Sequence, residues 1–339
     1  MIIVKAPLRI SFVGGGTDLP GFYTKHSGCV LSATIDKFIY LAIKPVPLVN
    51  DFILKYQVTE IVKHPKEFKN NRVREALLDY GIVNNGIEIA SFADIPAKTG
   101  LGSSSSFSTA LMIGLNAFSG KKISKLEAAE EACRLEIELL KEPIGKQDQY
   151  AAAFGGFNIF KFQKDGRVDV EPVFLDYKKQ HDLERHMLLF FTGISRAASS
   201  VLKGQSAAID DKIEVYKKIA KSTLLFKEKL LAGDIRGMAE LLSDGWMSKR
   251  SLAENISNSL IDMFFDSGLR AGAWGGKMLG AGGGGCILFL ASPDKHEHIR
   301  DAMTTCAVAN HLPEFKEISV KFTKLGAGIL FDAERACFT

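Results

Sequence analysis

The chain has 339 residues, 46% hydrophobic and 24% charged, a balance that suits an enzyme-sized globular protein of one large or two smaller domains and excludes disorder over most of its length. Its net charge of +4 comes from 43 basic and 39 acidic residues spread along the sequence, which argues against a nucleic-acid partner. The five cysteines are widely spaced with no C-x-x-C pair, the N-terminus does not read as a leader, and no apolar run reaches about 18 residues; disulfides, a zinc site and a membrane partner are therefore not expected, and the protein reads as cytoplasmic.

Along the chain, residues 4 to 12 alternate, with Val4, Ala6, Leu8, Ile10 and Phe12 apolar and Lys5, Pro7, Arg9 and Ser11 between them. That period predicts a strand with one buried face and Arg9 on the other. The strand runs into Gly14, Gly15, Gly16, Thr17 and Asp18, a turn able to approach a ligand. Further strands are expected at 29 to 43, as one strand or a pair, and at 86 to 92, with a helix at 65 to 80. Residues 95 to 110 read IPAKTGLGSSSSFSTA: Gly100, Leu101 and Gly102 make a tight turn and the serines open a buried helix. The unpaired N–H groups of that first turn and the helix dipole attract an anion. A plain N-cap needs one serine, and four in a row go beyond it.

Ser124 and Glu127 form a capping box for the next helix. On its wheel Leu126, Ala129, Ala132, Cys133, Leu139 and Leu140 share an apolar arc, with Glu136 in the middle. A buried carboxylate there needs a cation or several donors, unless the helix end frays and exposes it. GKQDQYAAAFGGFNIF follows, and a soft boundary near residues 170 to 180 divides the chain into domains 1–175 and 176–339. The second half opens on the strand HMLLFFTGIS, continues with amphipathic helices near 208 to 231, 234 to 248 and 257 to 270, and then reads GGKMLGAGGGGCILFLA, a glycine loop feeding an apolar strand. A helix and two strands complete it. His296, Glu297 and His298 read as a solvated helix start, not a metal site.

Three glycine-rich segments invite a nucleotide site. No G-x-x-x-x-G-K-[ST] string exists, since Gly276-Lys277 is followed by Met278, so a P-loop is excluded. Gly280 to Gly285 satisfies G-x-G-x-x-G but leads into a strand where a dinucleotide fingerprint needs a helix.

The three segments together resemble, in order, the three motifs of the small-molecule kinases grouped with galactokinase, homoserine kinase, mevalonate kinase and phosphomevalonate kinase: Ala6 to Asp18, Pro96 to Ser105, and Gly275 to Cys286. The resemblance spans residues 6 to 286. It implies an α+β fold of two domains, a mixed sheet with helices in the first and a ferredoxin-like second, with ATP between them. It further implies that Lys98, Gly100, Leu101, Gly102, Ser103, Ser104 and Ser105 cradle ATP, that Ser104 and Glu136 hold Mg²⁺, and that Asp148 receives the proton of the attacking hydroxyl or stabilises its alkoxide, with Arg9 beside it. Taken singly, Asp148 reads equally as a turn residue and Arg9 as a surface strand residue. Gly15, Gly16, Thr17, Asp18, Gly282 and Gly283 are the expected substrate contacts.

Galactokinases carry GEHTD where this chain has GGGTD, which speaks against galactose. PLRISFVGGGTDLPGFY with GKQDQYAAAFGGFN looks most like bacterial kinases that phosphorylate the anomeric hydroxyl of D-glycero-D-manno-heptose 7-phosphate, a step toward nucleotide-activated heptose. A phosphorylated sugar would need basic contacts, for which Arg196 and Lys203 are the candidates. A kinase of fucose or another deoxy or phosphorylated sugar, a decarboxylase that phosphorylates transiently and a silent binding relative are the alternatives. Homo-oligomerisation stays open.

Overall fold

The computed structural model describes residues 1–84, 86–195 and 198–333. Among these residues the strands form two sheets. The first contains β1 (Ile2–Val13), β2 (Gly28–Pro45), β3 (Phe52–Lys55), β4 (Thr59–Val62), β5 (Ile87–Ala93), β6 (Phe157–Phe162) and β7 (Val168–Pro172). The second, antiparallel throughout, contains β8 (Met187–Phe191), β9 (Ala273–Met278), β10 (Cys286–Ala291) and β11 (Lys316–Glu317) in the order β11-β8-β10-β9. The last strand, β12 (Gly328–Asp332), returns to the first sheet and pairs antiparallel with β1. The architecture is α+β, as expected. No helix of the described residues is long and apolar enough to cross a membrane.

β2 is a single strand of 18 residues, not a pair, because its two halves serve different neighbours: residues 28 to 33 pair with β6 and residues 39 to 45 with β5. The helix expected from residue 65 begins at Asn71, where the Asn70 side chain accepts from the Val73 N–H at 3.1 Å; a single 3₁₀ turn, Pro65–Glu67, precedes it.

β1 departs most from its sequence pattern. Residues 6 to 13 are buried on both sides, since helices Ser103–Phe118 and Gln147–Phe154 from the first half and Ile213–Ala232 and Ile235–Arg250 from the second all touch it. Phe12 stacks on Phe226 with ring centres 5.2 Å apart. The register shifts between Pro7 and Arg9 and again between Ser11 and Val13, irregularities of the kind that re-aim side chains beside functional sites. One apolar cluster includes Leu41 and Ile43 of the first sheet with Leu288 and Leu290 of the second.

The second and third glycine segments interlock at backbone distance. A methyl built on Gly100 would lie 2.6 Å from the Leu279 carbonyl oxygen, and one on Gly280 would lie 2.7 Å from the Gly100 Cα. Both residues have positive φ, +80° and +71°, so only glycine meets the two demands without strain. The Cys286 N–H donates to the Thr99 carbonyl at 2.9 Å and closes the contact.

Candidate active site

The three glycine segments meet around a cavity of about 350 Å³. At its floor Arg9, 3% exposed, points in from β1. Its Nε donates to Asp148 Oδ1 at 2.8 Å, Nη2 to Oδ2 at 2.7 Å and Nη1 to the Gly100 carbonyl at 2.7 Å, while its backbone N–H donates to the Leu101 carbonyl at 3.0 Å. This is the bidentate fork that fixes a carboxylate in plane. Asp148 lies in the first turn of helix Gln147–Phe154, where the helix dipole favours a negative charge. The structure thus overturns the readings of Arg9 as a surface residue and Asp148 as a mere turn residue.

The partners that the wheel demanded for Glu136 come from three directions. Residues 134–139 form a π-helical turn, and Glu136 within it is fully buried. Its Oε2 accepts from Ser105 Oγ at 2.8 Å and Gln149 Nε2 at 2.6 Å, and its Oε1 from Ser108 Oγ at 3.0 Å and Arg72 Nε at 3.2 Å. Arg72 also holds Glu142 through Nη2, at 2.8 and 2.7 Å to its two oxygens. Burial raises the Glu142 pKa against the lowering effect of Arg72. The arc around Glu136 is not as expected throughout: Leu139 is 37% exposed, shifted by the wide π turn, and Leu126 is 44% exposed in a first turn that is solvated from Lys125 to Glu127.

The serine run resolves into distinct roles. Helix Ser103–Phe118 has Gly102, in the left-handed conformation, at its N-cap with no side-chain cap bond, so none of the serines is a plain cap. Ser103 and Ser104 line the cavity, with Ser104 exposed. The hydroxyls that meet Glu136 belong to Ser105 and Ser108, three residues apart and so neighbours on the helix surface, whereas Ser104 is exposed. Ser106, assigned no role from sequence, donates to the Pro7 carbonyl at 2.7 Å and ties the helix to β1 next to the irregularity that aims Arg9.

Also lining the cavity, Asp18 accepts at Oδ1 from the Gly16 N–H at 2.9 Å and from Gln147 Nε2 at 3.3 Å, and at Oδ2 from the Gln147 N–H at 3.2 Å. Ser11 Oγ donates to Gln147 Oε1 at 2.8 Å. Burial, and then the charge of Asp148, raise the Asp18 pKa. A methyl on Gly145 would fall 1.9 Å from Asp18 Oδ2, so glycine there makes room for the carboxylate.

Two buried lysines complete the site. Lys249 Nζ donates to the Gly280 carbonyl at 2.6 Å; Lys277 Nζ donates to the Ser11 and Phe12 carbonyls, each at 2.8 Å. Among the described residues neither forms a salt bridge within 4.0 Å. Burial pushes the Lys249 pKa down to about 8 and that of Lys277 well below the ordinary lysine value. Lys277 stood in plain sight in GGKMLGAGGGG, set aside as no P-loop lysine. Lys249 had a signal too: it ends the stripe Met238, Leu242 and Trp246 on its helix, a polar residue in an apolar row like Glu136.

Of the expected site residues, the cavity is lined by Arg9, Gly15, Gly16, Asp18, Lys98, Gly100, Gly102, Ser103, Ser104, Ser105, Glu136, Asp148 and Gly282. Three others stand back from it. Leu101 is buried in the core, Thr17 donates its hydroxyl to the Gly14 and Cys29 carbonyls to pin the first turn to β2, and the Gly283 N–H donates to the Ile256 carbonyl. Lys203 is exposed and does not line the cavity, and Arg196 lies outside the described residues.

Comparison with known proteins agrees with this geometry. Residues 68–156 match the model of the GHMP kinases N terminal domain and residues 226–309 that of the GHMP kinases C terminal domain. A D-glycero-alpha-D-manno-heptose 7-phosphate kinase of Campylobacter jejuni is 29% identical over 89% of this chain and 93% of its own length; a galactokinase of Thermococcus kodakarensis is 28% identical over 87% and 91%. The crystal structure of a D-glycero-D-manno-heptose 1-phosphate kinase from Bacteroides thetaiotaomicron superposes with a TM-score of 0.79 at 26% identity, covering 98% of this chain and 99% of that one. This protein is accordingly an ATP-using phosphotransferase with an alcohol group as acceptor, and the chain belongs to the GHMP kinase family.

Proposed function

We propose that this kinase is a sugar 1-kinase that transfers the γ-phosphate of ATP to the anomeric hydroxyl of D-glycero-D-manno-heptose 7-phosphate, giving the 1,7-bisphosphate. The observation that carries this reading is the charge of the cavity. Arg9, Arg72, Lys98, Lys249 and Lys277 line it against Asp18, Glu136, Glu142 and Asp148, and the two buried lysines bind only carbonyls, leaving N–H donors for anions beyond the carboxylates already present. That surplus suits a reaction in which both ATP and the sugar bring phosphate into one cavity. Similarity to the two heptose phosphate kinases points the same way. The reading takes residues 1–175 and 176–339 as two domains with the site between them, the second lending β12 back to the first.

In this reading the N–H groups at Ser103 to Ser105, the first of their helix, hold ATP phosphates at the positive end of the dipole. Asp148 accepts the hydrogen of the anomeric hydroxyl. As the hydroxyl oxygen bonds to the γ-phosphorus and the bond to the ADP oxygen breaks, the proton passes to Asp148 Oδ and thence to solvent. Arg9 keeps both Asp148 oxygens in plane, and Lys249 and Lys277 offset charge on the transferring group, the positioning and neutralising work phosphoryl transfer requires. Mg²⁺ fits the donor set: Glu136 is a hard carboxylate flanked by serine hydroxyls, and beside it Gln149 Oε1 is buried with no protein partner. Glu136 and the hydroxyls of Ser104 and Ser105 would hold it, and its chemistry there is to neutralise phosphate charge.

The printed names of the two heptose relatives differ in which phosphate the sugar already carries, so the test is positional. Purified enzyme with ATP is offered the free heptose, its 1- and 7-phosphates, fucose and hexoses, and ³¹P NMR locates the new phosphate. The expected result is turnover of the 7-phosphate with a new anomeric signal. Preference for the 1-phosphate, fucose or a hexose would replace the proposed substrate; absence of turnover on every sugar would remove the reading.

A further inference from the structure

Gln205, which nothing in the sequence singled out, lies on helix Ala198–Ala207 with its side chain fully buried, yet it lines the cavity. Its Nε2 donates to the Ala281 carbonyl in the third glycine loop at 3.0 Å, and its backbone carbonyl accepts from the Tyr216 hydroxyl at 3.3 Å. The side-chain amide therefore has a fixed sense. Turning it over would set oxygen against the Ala281 oxygen, so Oε1 faces the other way. In that direction lies Gly16, where an added methyl would stand 3.8 Å from Oε1.

Oε1 has no hydrogen-bond partner in the protein. A buried acceptor left open is uncommon in a folded protein, and one that borders a substrate cavity is a place for a donor from the ligand. Lys249, the nearby cation, donates to the carbonyl of Gly280, one residue before Ala281, and makes no hydrogen bond to Oε1. Asp18 also meets Gly16, its Oδ1 accepting the Gly16 N–H. Two acceptors, a neutral amide and a carboxylate, thus stand near Gly16 and line the same cavity, within the reach of a molecule that carries several hydroxyls.

Building on the sugar-kinase reading, we propose that Gln205 is a specificity-determining residue for the acceptor: its Oε1 accepts a hydrogen bond from one non-reacting hydroxyl of the sugar. The third glycine loop orients it by occupying Nε2. The loop therefore takes part in choosing the sugar as well as in closing on the nucleotide.

The test pairs a deoxy-sugar series with Gln205→Met, which keeps the unbranched shape and removes both polar atoms. The series is built on whichever sugar the wild type phosphorylates, so a different preferred sugar corrects the substrate and leaves this comparison intact, whereas absence of any sugar turnover removes both. Wild type should lose about 10- to 100-fold in kcat/KM on one deoxy analogue, the effect of stranding a buried acceptor. In Gln205→Met that analogue and the parent sugar should be turned over alike, with KM for ATP within about 3-fold of wild type, a coupling that a purely structural role would not produce. An unchanged ranking of the whole series in Gln205→Met overturns the proposal. Should that variant fail to fold, a crystal structure of wild type with its sugar decides: a sugar oxygen within hydrogen-bond reach of Oε1 supports it, and an Oε1 satisfied by water alone overturns it.

Discussion

The two walls of the cavity solve the same problem in opposite ways. On the wall built from the first half, Glu136 is buried and each of its two oxygens accepts two hydrogen bonds, from Arg72, Ser105, Ser108 and Gln149. On the wall built from the second half, Lys249 and Gln205 are buried and incompletely met, the lysine holding one carbonyl and the amide oxygen nothing. On the first wall the charge is met by protein donors and the neutral Gln149 Oε1 is left open; on the second a charge as well as a neutral acceptor is left for a ligand. A saturated carboxylate stabilises the fold, whereas a buried cation with one neutral partner costs stability that binding recovers. Stability and activity should therefore respond in opposite directions to mutations on the two walls.

The largest effect is expected at the Arg9–Asp148 pair. Asp148→Asn should lower kcat by roughly 10²- to 10⁴-fold while ATP affinity, read by titration calorimetry, stays near wild type. Near-normal turnover in this variant would contradict the role given to Asp148. Glu136→Gln is next. It sets an NH₂ group among donors and should cost about 3 kcal/mol in urea denaturation, because one partner of a buried ionic cluster is removed. Lys249→Met should do the reverse, raising the melting temperature of the ligand-free protein by an amount equivalent to about 1–3 kcal/mol while lowering kcat/KM. If both variants destabilise alike, the contrast between the walls fails.

The smallest effect is a pH dependence. The Lys249 pKa of about 8 in the folded protein lies below its ordinary value near 10.5, so between these pH values the unfolded chain binds more protons than the folded one. The destabilisation by Lys249 is then fully present below pH 8 and lifts as the pH rises toward 10.5. The difference in melting temperature between Lys249→Met and wild type should shrink from pH 7.5 to 10. Over the same range wild-type kcat/KM should fall as the lysine loses its charge. A difference that stays constant would show that Lys249 does not titrate there.

The sequence made the first wall far more legible than the second. Ordered motifs carry Arg9, the serine turn and Asp148, and a helical wheel exposes Glu136, because these residues lie in segments whose local pattern is itself constrained. The wheel placed Glu136 in the interior without saying which serine would meet it, since a helix turns about 100° per residue and the start of the helix fixes the phase. Arg72, Lys249 and Gln205 are single polar residues on otherwise ordinary helices. They become site residues only through tertiary packing, Arg72 against the turn that carries Glu136 and Gln205 against the third glycine loop, and no spacing in the sequence records those contacts. Arg9 was visible as a motif member but not as a buried residue, because alternation along β1 predicts one covered face and cannot register a second layer of helices. On the segment after β8 the candidate Lys203 does not reach the cavity, and the buried lysines that line it come from helix Ile235–Arg250 and from β9.

The return of β12 to the edge of β1 bears on how the molecule is made. β1 leaves the ribosome more than 300 residues ahead of its partner on that side, β12. At about 5–20 residues per second, roughly 15–60 seconds pass in which that edge of the first sheet has no strand beside it. An open edge is where strands pair with the wrong chain, and Lys5, on the segment that β12 later covers, supplies a charge of the kind that discourages such pairing. A chain released before residue 328 would keep that edge bare for good, so truncation near the end of the second half should surface as aggregation of the first.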